Sequence, residues 1–208
     1  MKELFFVRHG QTEWNAIRRM QGQMNSDLSE LGKSQAHAHG KFLSTLDIEY
    51  LVASPLDRTR QTAAIINQYL NLNIKYDDRI KEWDCGDWSG EIWNELREKW
   101  PEEFRAWQAD PYYYHGPNGE NYPDMIERTE PFLSELKQLP LQRIAIVSHG
   151  VIGRVMVGYL LGFSAEQAIS FSQSNETIIQ LSEHSYGYTS CHFNRGEGPL
   201  RGLPPRPD

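Results

Sequence analysis

The sequence predicts a three-layer α/β fold, in which a mainly parallel sheet is covered by helices on both faces. Short apolar runs alternate along the chain with longer amphipathic segments, as is typical of parallel strands joined by crossover helices. Two of the apolar runs end in the same dipeptide, at His9-Gly10 and at His149-Gly150. A short polar link at residues 184–187 predicts a hairpin, and therefore one antiparallel edge of the sheet.

The predicted strands are runs rich in Phe, Ile, Val and Leu, which is the composition expected of buried strands. They cover residues 3–8, 49–53, 73–76, 143–148, 176–182 and 187–193. The predicted helices have apolar residues at helical spacing, and they cover residues 30–45, 55–70, 92–109, 124–138 and 149–162.

The segment that follows the second strand carries signals for the start of a helix. Ser54 is suited to be the N-cap, Pro55 fits the first helical position, and Asp57 stands where a capping-box acid is expected. Arg58 then falls in the first turn, where a cation opposes the helix dipole. Such a placement favours a role in function over a role in stability.

We predict one domain over residues 1–193, with an insertion at 91–123 and a tail at 194–208. The insertion is rich in Trp and Tyr, and two interpretations stay open: it forms a lid or substrate wall over the sheet edge, or its aromatic side chains pack it onto the main body. The tail is rich in Gly, Pro and Arg, which predicts an irregular extension.

Composition excludes several classes of protein. A formal net charge of −7 disfavours nucleic-acid binding, and residues 151–163 are too short and too interrupted, by Arg154, to span a membrane. The two cysteines, Cys85 and Cys191, predict free thiols, and the start of the chain does not resemble a signal peptide. We therefore expect a cytoplasmic location, while the oligomeric state stays open.

The two His-Gly strand ends predict a ligand pocket. In open α/β sheets, ligands bind in the crevice beyond the carboxyl ends of the strands, so both histidines are expected to face one site. Arg8 precedes His9 directly, and a guanidinium suits an anion such as phosphate. No cluster has the spacing of zinc ligands and no nucleotide-binding P-loop is present, so we expect neither a metal nor a cofactor.

The stretch Arg8-His9-Gly10-Gln11-Thr12-Glu13-Trp14-Asn15 resembles the signature of the histidine phosphatase superfamily, also called phosphoglycerate mutase-like. The resemblance covers roughly residues 4–182 in the expected order. Its further blocks are Gln21-Gly22 with Asp27-Leu28-Ser29-Glu30-Leu31-Gly32-Lys33-Ser34-Gln35-Ala36, Ser54-Pro55-Leu56 with Arg58-Thr59 and Gln61-Thr62-Ala63, Glu82 with Gly86 and Gly90, Gly119-Glu120, and Ser148-His149-Gly150.

The resemblance implies a role for each residue of the site. His9 would be the nucleophile and would become a phosphohistidine, while Glu82 would protonate the leaving group and then activate water. Arg8 and Arg58 would hold the phosphoryl oxygens, and His149 would donate a hydrogen bond to one of them. The rival acids by composition are Asp84, Asp87 and Glu120.

Five further residues are candidates for substrate binding. Thr12 and Asn15 match positions that line the phosphate pocket in the family, and Gln21 and Gly22 lie on the loop near it. Polar loop residues also serve as helix caps, which is the alternative interpretation of these positions. Val151 directly follows the second His-Gly, where mutases of the family carry an asparagine.

We therefore expect a phosphomonoesterase that acts on a small phosphorylated metabolite. The first alternative is a cofactor-dependent phosphoglycerate mutase, which would need a basic insertion where residues 91–123 are aromatic. The second is a non-catalytic module that binds a phosphorylated ligand, but such a module is expected to lack a nucleophile or an acid, and both His9 and Glu82 are present.

Overall fold

The strands of the computed structural model, which describes residues 1–206, form a single mixed sheet. Four parallel strands make up one side of it, and three antiparallel strands follow as an edge, which confirms the predicted class of sheet. In chain order the strands are β1 (Glu3–Arg8), β2 (Tyr50–Ala53), β3 (Ile74–Tyr76), β4 (Arg143–Ser148), β5 (Thr177–His184), β6 (Gly187–Asn194) and β7 (Glu197–Arg201). Their order across the sheet is β3-β2-β4-β1-β5-β6-β7.

The helices lie on both faces of this sheet. They are α1 (Glu13–Ala16), α2 (Glu30–Leu43), α3 (Asp57–Leu70), α4 (Leu96–Lys99), α5 (Pro101–Ala109), α6 (Tyr122–Gln138), α7 (Gly150–Leu161) and α8 (Ala165–Ile169). Single turns of 3-10 helix occur at Asp78–Ile80, Gly86–Trp88 and Trp93–Glu95. Within residues 1–206, none of these helices has the length and apolar character needed to cross a membrane.

The alternation of side chains along β1 divides the core into two layers. Leu4 and Phe6 pack into the layer under α6 and α7, whereas Phe5 and Val7 pack into the layer under α2 and α3. All four side chains are buried, so the strand is apolar without interruption, as expected of a strand covered on both faces.

Three predictions about local structure are wrong, each for a different physical reason. Helix α3 begins at Asp57 rather than at 55, because Leu56 is still extended and is the N-cap, while the hydroxyl of Ser54 binds a histidine ring and the N–H of Leu56. The predicted helix over 92–109 is broken at Trp100, whose φ of −132° and ψ of 57° leave the helical region ahead of Pro101.

The tail is the third correction. Residues 194–208 were expected to be irregular, but β7 forms a ladder with β6, and Pro205 forms a bridge to Phe171. The open edge of β6 offers a row of backbone donors and acceptors, and pairing with that edge overrides the Gly- and Pro-rich composition. Residues 207 and 208 of the predicted tail lie outside the described residues.

Two glycines bring α2 against the loop that follows β1. A Cβ atom on Gly32 would lie 2.0 Å from the carbonyl oxygen of Gln11, and one on Gly10 would lie 2.2 Å from the carbonyl oxygen of Gly32. The backbones therefore touch directly, and this contact fixes the loop that carries His9.

We expect Gly32→Ala to lower the free energy of unfolding by about 1–3 kcal/mol, because a methyl group at this contact forces the backbone apart. Urea denaturation measures the change. Ser34→Ala, at an exposed position of the same helix, is the matched control and should cost little. Equal stability of the Gly32 variant and the wild type would contradict the close approach.

Candidate active site

The predicted site lies where β1, β2 and β4 end side by side. His9 follows β1, Ser54 follows β2 and His149 follows β4, so three adjacent strand ends deliver three polar side chains to one crevice. All three side chains are buried, and the two imidazole rings meet edge to face with 5.3 Å between their centroids. The structure thus brings the two predicted histidines together.

The ring of His9 has one possible tautomer in its neutral form. Its Nδ1 lies 2.7 Å from the carbonyl oxygen of Gly10, and because that oxygen can only accept, Nδ1 carries the proton. The lone pair is then on Nε2, where a nucleophile needs it. Burial, followed by the positive charges of Arg58 and Arg8, holds the pKa of His9 well below its ordinary value, so the ring is neutral at physiological pH.

His149 is fixed in the opposite tautomer to His9, by different partners. Arg58 donates a hydrogen bond from Nε to Nδ1 of His149 at 3.1 Å, and Nε2 therefore bears the proton and donates to Oγ of Ser54 at 2.8 Å. Burial and the neighbouring charge of Arg58 hold the pKa of His149 well below its ordinary value. Both ring nitrogens are engaged, so donation to a phosphoryl oxygen requires Ser54 to give up its bond.

Arg58 also holds the loop that covers the site. Its terminal nitrogens donate to the carbonyl oxygens of Gly22 and Met24, both at 2.7 Å. Burial lowers the pKa of Arg58 to about 10, which still leaves the guanidinium charged. Each terminal nitrogen has a second N–H, which remains for a ligand oxygen.

Arg8 lies across the start of α7. It donates from Nη1 to the carbonyl oxygen of Gln173 at 2.8 Å, while its buried Nε has no hydrogen-bond partner within residues 1–206. A Cβ on Gly150 would lie 3.3 Å from Nε and Cζ of this guanidinium, so the glycine of the second His-Gly lets the arginine approach closely. An unsatisfied buried donor at this place favours an anionic ligand.

Glu82 is anchored at the N-terminus of α7. Its carboxylate accepts hydrogen bonds from the backbone N–H groups of Trp83 at 2.9 Å, Ile152 at 3.0 Å and Val151 at 3.2 Å. A carboxylate at a helix N-terminus is stabilised by the free N–H groups and by the helix dipole. The helix that begins at the second His-Gly therefore positions the predicted acid.

The rival acids are each bound by partners of their own. Asp84 accepts from the N–H of Gly86 at 2.9 Å, and Asp87 accepts from the amide of Asn118 at 3.0 Å. Glu120 forms a bidentate ion pair with Arg128, with N–O distances of 2.7 and 2.9 Å. These contacts assign the three carboxylates to loop structure, and they favour Glu82 as the acid.

The loop candidates have visible structural roles. Thr12 and Asn15 form a reciprocal capping box at the start of α1, with backbone-to-side-chain distances of 3.2 and 3.1 Å. Gly22 adopts a φ of +50°, and Gln21 is buried with Oε1 unpartnered within residues 1–206. Contacts of these four residues with a substrate stay predictions.

A cavity of about 150 Å³ opens beside Glu82. Val151, whose N–H binds Glu82, lines it, together with Trp93 and Trp107 of the 91–123 insertion. The same two indoles pack against each other with centroids 5.2 Å apart. The two interpretations of the insertion are therefore compatible, since its aromatic side chains form both a small core and a cavity wall.

The sequence did not indicate the residues that hydrogen-bond to Arg8, His9 and Glu82 and hold them in place. Asn175 donates a hydrogen bond to the carbonyl oxygen of His9 at 2.6 Å, and the carbonyl oxygen of Gln173 accepts one from Arg8. Arg128 donates to the carbonyl oxygen of Glu82 at 3.2 Å. None lies in a recognisable motif, and only the packing of β5 and α6 against the site reveals their contacts.

Together, the α/β sheet, the paired neutral histidines and the two buried guanidinium groups define an anion-binding site with a nucleophile. The model of the histidine phosphatase superfamily (branch 1) matches residues 4–195. The chain belongs to this superfamily, as its motifs indicate.

Relatives within the superfamily include enzymes with phosphatase and mutase names. Phosphoserine phosphatase 1 of Hydrogenobacter thermophilus is 38% identical over 186 residues, which cover 88% of each chain. Probable phosphoglycerate mutase GpmB of Citrobacter koseri is 36% identical over 169 residues, covering 79% of this chain and 77% of the relative. A mycobacterial glucosyl-3-phosphoglycerate phosphatase has a similar structure, with a TM-score of 0.82 and 29% identity over 93% of this chain and 98% of its own.

We expect the stability of the protein to fall as the pH drops below 6.5. The pKa values of His9 and His149 are lowered in the folded state, so below 6.5 the unfolded chain binds more protons than the folded one. Each histidine contributes up to about 1.4 kcal/mol per pH unit until its folded-state pKa is reached.

Urea denaturation at about pH 7.5 and 5.5 measures this dependence, in the range where histidines titrate. His9→Gln and His149→Gln should each reduce the loss of stability on acidification, because glutamine takes up no proton. His37→Gln removes an exposed histidine of α2 and is the matched control. The same loss of stability in both active-site variants and the wild type would contradict the assignment of neutral buried rings.

Proposed function

We propose that the protein hydrolyses small phosphate monoesters through a phosphohistidine formed on His9. The observation that carries this proposal is the pair of neutral, buried imidazoles beside two guanidinium groups, with the carboxylate of Glu82 fixed at the adjacent helix N-terminus. This set supplies a nucleophile, cations for the phosphoryl oxygens and a group that moves protons.

Each step of the reaction uses one of these groups. The lone pair on Nε2 of His9 attacks phosphorus, the bond from phosphorus to the ester oxygen breaks, and protonated Glu82 gives its proton to the leaving alkoxide. Water then attacks the phosphohistidine, Glu82 takes a proton from it, and the bond between nitrogen and phosphorus breaks to release phosphate. Arg8 and Arg58 stabilise the charge on the phosphoryl oxygens throughout.

The names of the relatives support hydrolysis of small phosphate esters. Phosphoserine phosphatase 1 and glucosyl-3-phosphoglycerate phosphatase are named for hydrolysis of a phosphorylated metabolite. Relatives named as probable mutases also match the chain. The cations of the insertion, Arg97, Lys99 and Arg105, are exposed and do not line the cavity. Phosphatase activity is favoured by the phosphatase relatives, and a cytoplasmic location stays a prediction.

We expect His9→Gln to abolish phosphate release, because glutamine offers no nucleophilic nitrogen. The measurement is release of inorganic phosphate from a panel of phosphomonoesters, together with trapping of the labelled enzyme after brief incubation with labelled substrate. The wild type should carry a label that is lost in acid and stable in base. Circular dichroism shows whether the variant is folded.

Two controls separate this reaction from its alternatives. Activity should survive prolonged chelation, since the proposed steps use only side chains of the chain. With 3-phosphoglycerate and 2,3-bisphosphoglycerate, formation of 2-phosphoglycerate without phosphate release would instead identify a mutase. Turnover by a folded His9→Gln enzyme at the wild-type rate would refute the nucleophile.

We expect Glu82→Gln to slow alkyl phosphates far more than 4-nitrophenyl phosphate. A general acid contributes on the order of 10²–10⁴-fold when the leaving alkoxide is basic, and little when the leaving phenolate is stable without a proton. The ratio of kcat/KM for an alkyl ester to that for the aryl ester measures the effect. Asp84→Asn is the matched control, and a larger change of the ratio in that variant would move the acid role to Asp84.

A further inference from the structure

Arg154 faces the cavity beside the proposed phosphate site. It lies three residues after Val151 on α7, so both side chains are on the same side of that helix, and both line the cavity. The charge of Arg154 lowers the pKa of Arg8, an effect that requires the two guanidinium groups to be near each other. Val151 lines the cavity and binds Glu82 through its N–H, so the cavity lies directly beside the proposed site.

Among residues 1–206, the guanidinium of Arg154 has no hydrogen-bond or ion-pair partner that would explain its position. Its Nε is buried without a hydrogen-bond partner within residues 1–206, and over the same range it forms no salt bridge. Arg128 provides the contrast, since it is held by Glu120 and by three backbone carbonyls. Arg128 is thus satisfied by the fold, whereas Arg154 is left with free donors.

The other charged groups of the cavity favour a negative ligand. Glu120 contributes a carboxylate, but Arg128 neutralises it and the N–H of Asp84 binds one of its oxygens at 2.9 Å. Arg206 from the tail adds a second cation to the lining. Both Arg154 and Arg206 act to lower the pKa of Tyr122, although burial outweighs them and raises it.

Most of the remaining wall is aromatic or aliphatic, and Asn121 is its polar exception. Trp83, Trp93, Trp107 and Met125 surround the cavity and keep its dielectric low, which strengthens an ion pair formed inside it. A guanidinium presents two parallel N–H groups that match a planar carboxylate. A cavity of about 150 Å³ has room for the organic part of a small metabolite.

We propose that this cavity is a subsite for a carboxylate of the substrate, and that Arg154 binds it. The inference rests on the proposed phosphatase function and narrows its substrates to small phosphate esters that carry a carboxylic acid. Arg154 is then a specificity-determining residue that the insertion encloses with aromatic side chains. It binds the end of the substrate that does not react.

Pairs of esters that differ at the carboxylate test the proposal. Phosphoserine is compared with phosphoethanolamine, and 3-phosphoglycerate with glycerol 3-phosphate, by measuring kcat/KM for each. In the wild type we expect at least one carboxylated ester to be preferred over its partner by tenfold or more. Arg154→Gln should reduce that preference at least tenfold, mainly through a higher KM for the carboxylated ester.

Two further variants control this experiment. Arg105→Gln removes an exposed arginine of α5, and it should leave the preference unchanged. Arg154→Lys keeps the positive charge but loses the planar pair of donors, so we expect an intermediate preference. Hydrolysis of 4-nitrophenyl phosphate by each variant shows that the enzyme is folded and active.

The outcomes distinguish failure of the subsite from failure of the proposed function. No hydrolysis of any ester by the wild type would overturn the phosphatase proposal itself. Hydrolysis of 4-nitrophenyl phosphate with equal use of both members of each pair would overturn only the carboxylate subsite. A preference that persists unchanged in Arg154→Gln would also overturn the carboxylate subsite. If neither Arg154→Gln nor Arg154→Lys folds, the presence or absence of a preference for carboxylated esters in the wild type decides whether the subsite exists.

Discussion

The hydrogen bond from Arg58 to His149 is the interaction on which the rest of the site depends. It joins the first turn of α3 to the end of β4 and fixes the tautomer of His149. The same guanidinium closes the loop at Gly22 over the site and depresses the pKa of His9. All three hydrogen-bond acceptors of Arg58 are uncharged, so burying this cation carries a cost that the apolar layers of the sheet must offset. A site built in this way gains most when a phosphate supplies the missing negative charge.

Glu82 resolves a conflict that this charge distribution creates. A second carboxylate in the pocket would repel the substrate, yet the reaction needs a proton donor close to the leaving group. The fold places a single carboxylate at the N-terminus of α7, where backbone N–H groups bind it. Helix α7, which follows His149, thus holds Glu82 with its backbone N–H groups and lines the cavity with its side chains. This double use explains why Val151 can be apolar, since its N–H makes the polar contact.

The sequence predicts well those parts of the fold that are determined by neighbouring residues along the chain. Strands β1 and β4 begin and end at the predicted residues because short apolar runs rich in Phe, Ile and Val, bounded by polar residues, favour strands that are buried on both faces. Ser54 shows the limit of local reasoning, because a hydroxyl before a proline can cap a helix or bind an imidazole. Its role is set by His149, which lies at the end of β4 and far away in sequence. Asn175 and Gln173 had no local signal, since their partners are backbone carbonyls and a guanidinium more than 160 residues away. The catalytic roles followed from the resemblance to a family, and pattern and composition alone gave only an anion pocket.

Chemistry and selectivity occupy different layers of the molecule. The groups proposed for bond cleavage stand on strand ends and helix starts, where two packed layers restrict their movement. The cavity beside them is walled in part by the insertion and by the tail. Trp93 and Trp107 can change without moving His9, because they pack on each other and on Phe104 rather than on the sheet. Arg154 is the exception, since it reaches the cavity from a core helix. If Arg154 binds the substrate carboxylate as proposed, a charged anchor on a core helix and a separate aromatic wall would allow the preferred organic group to change while the distance between carboxylate and phosphate stays fixed.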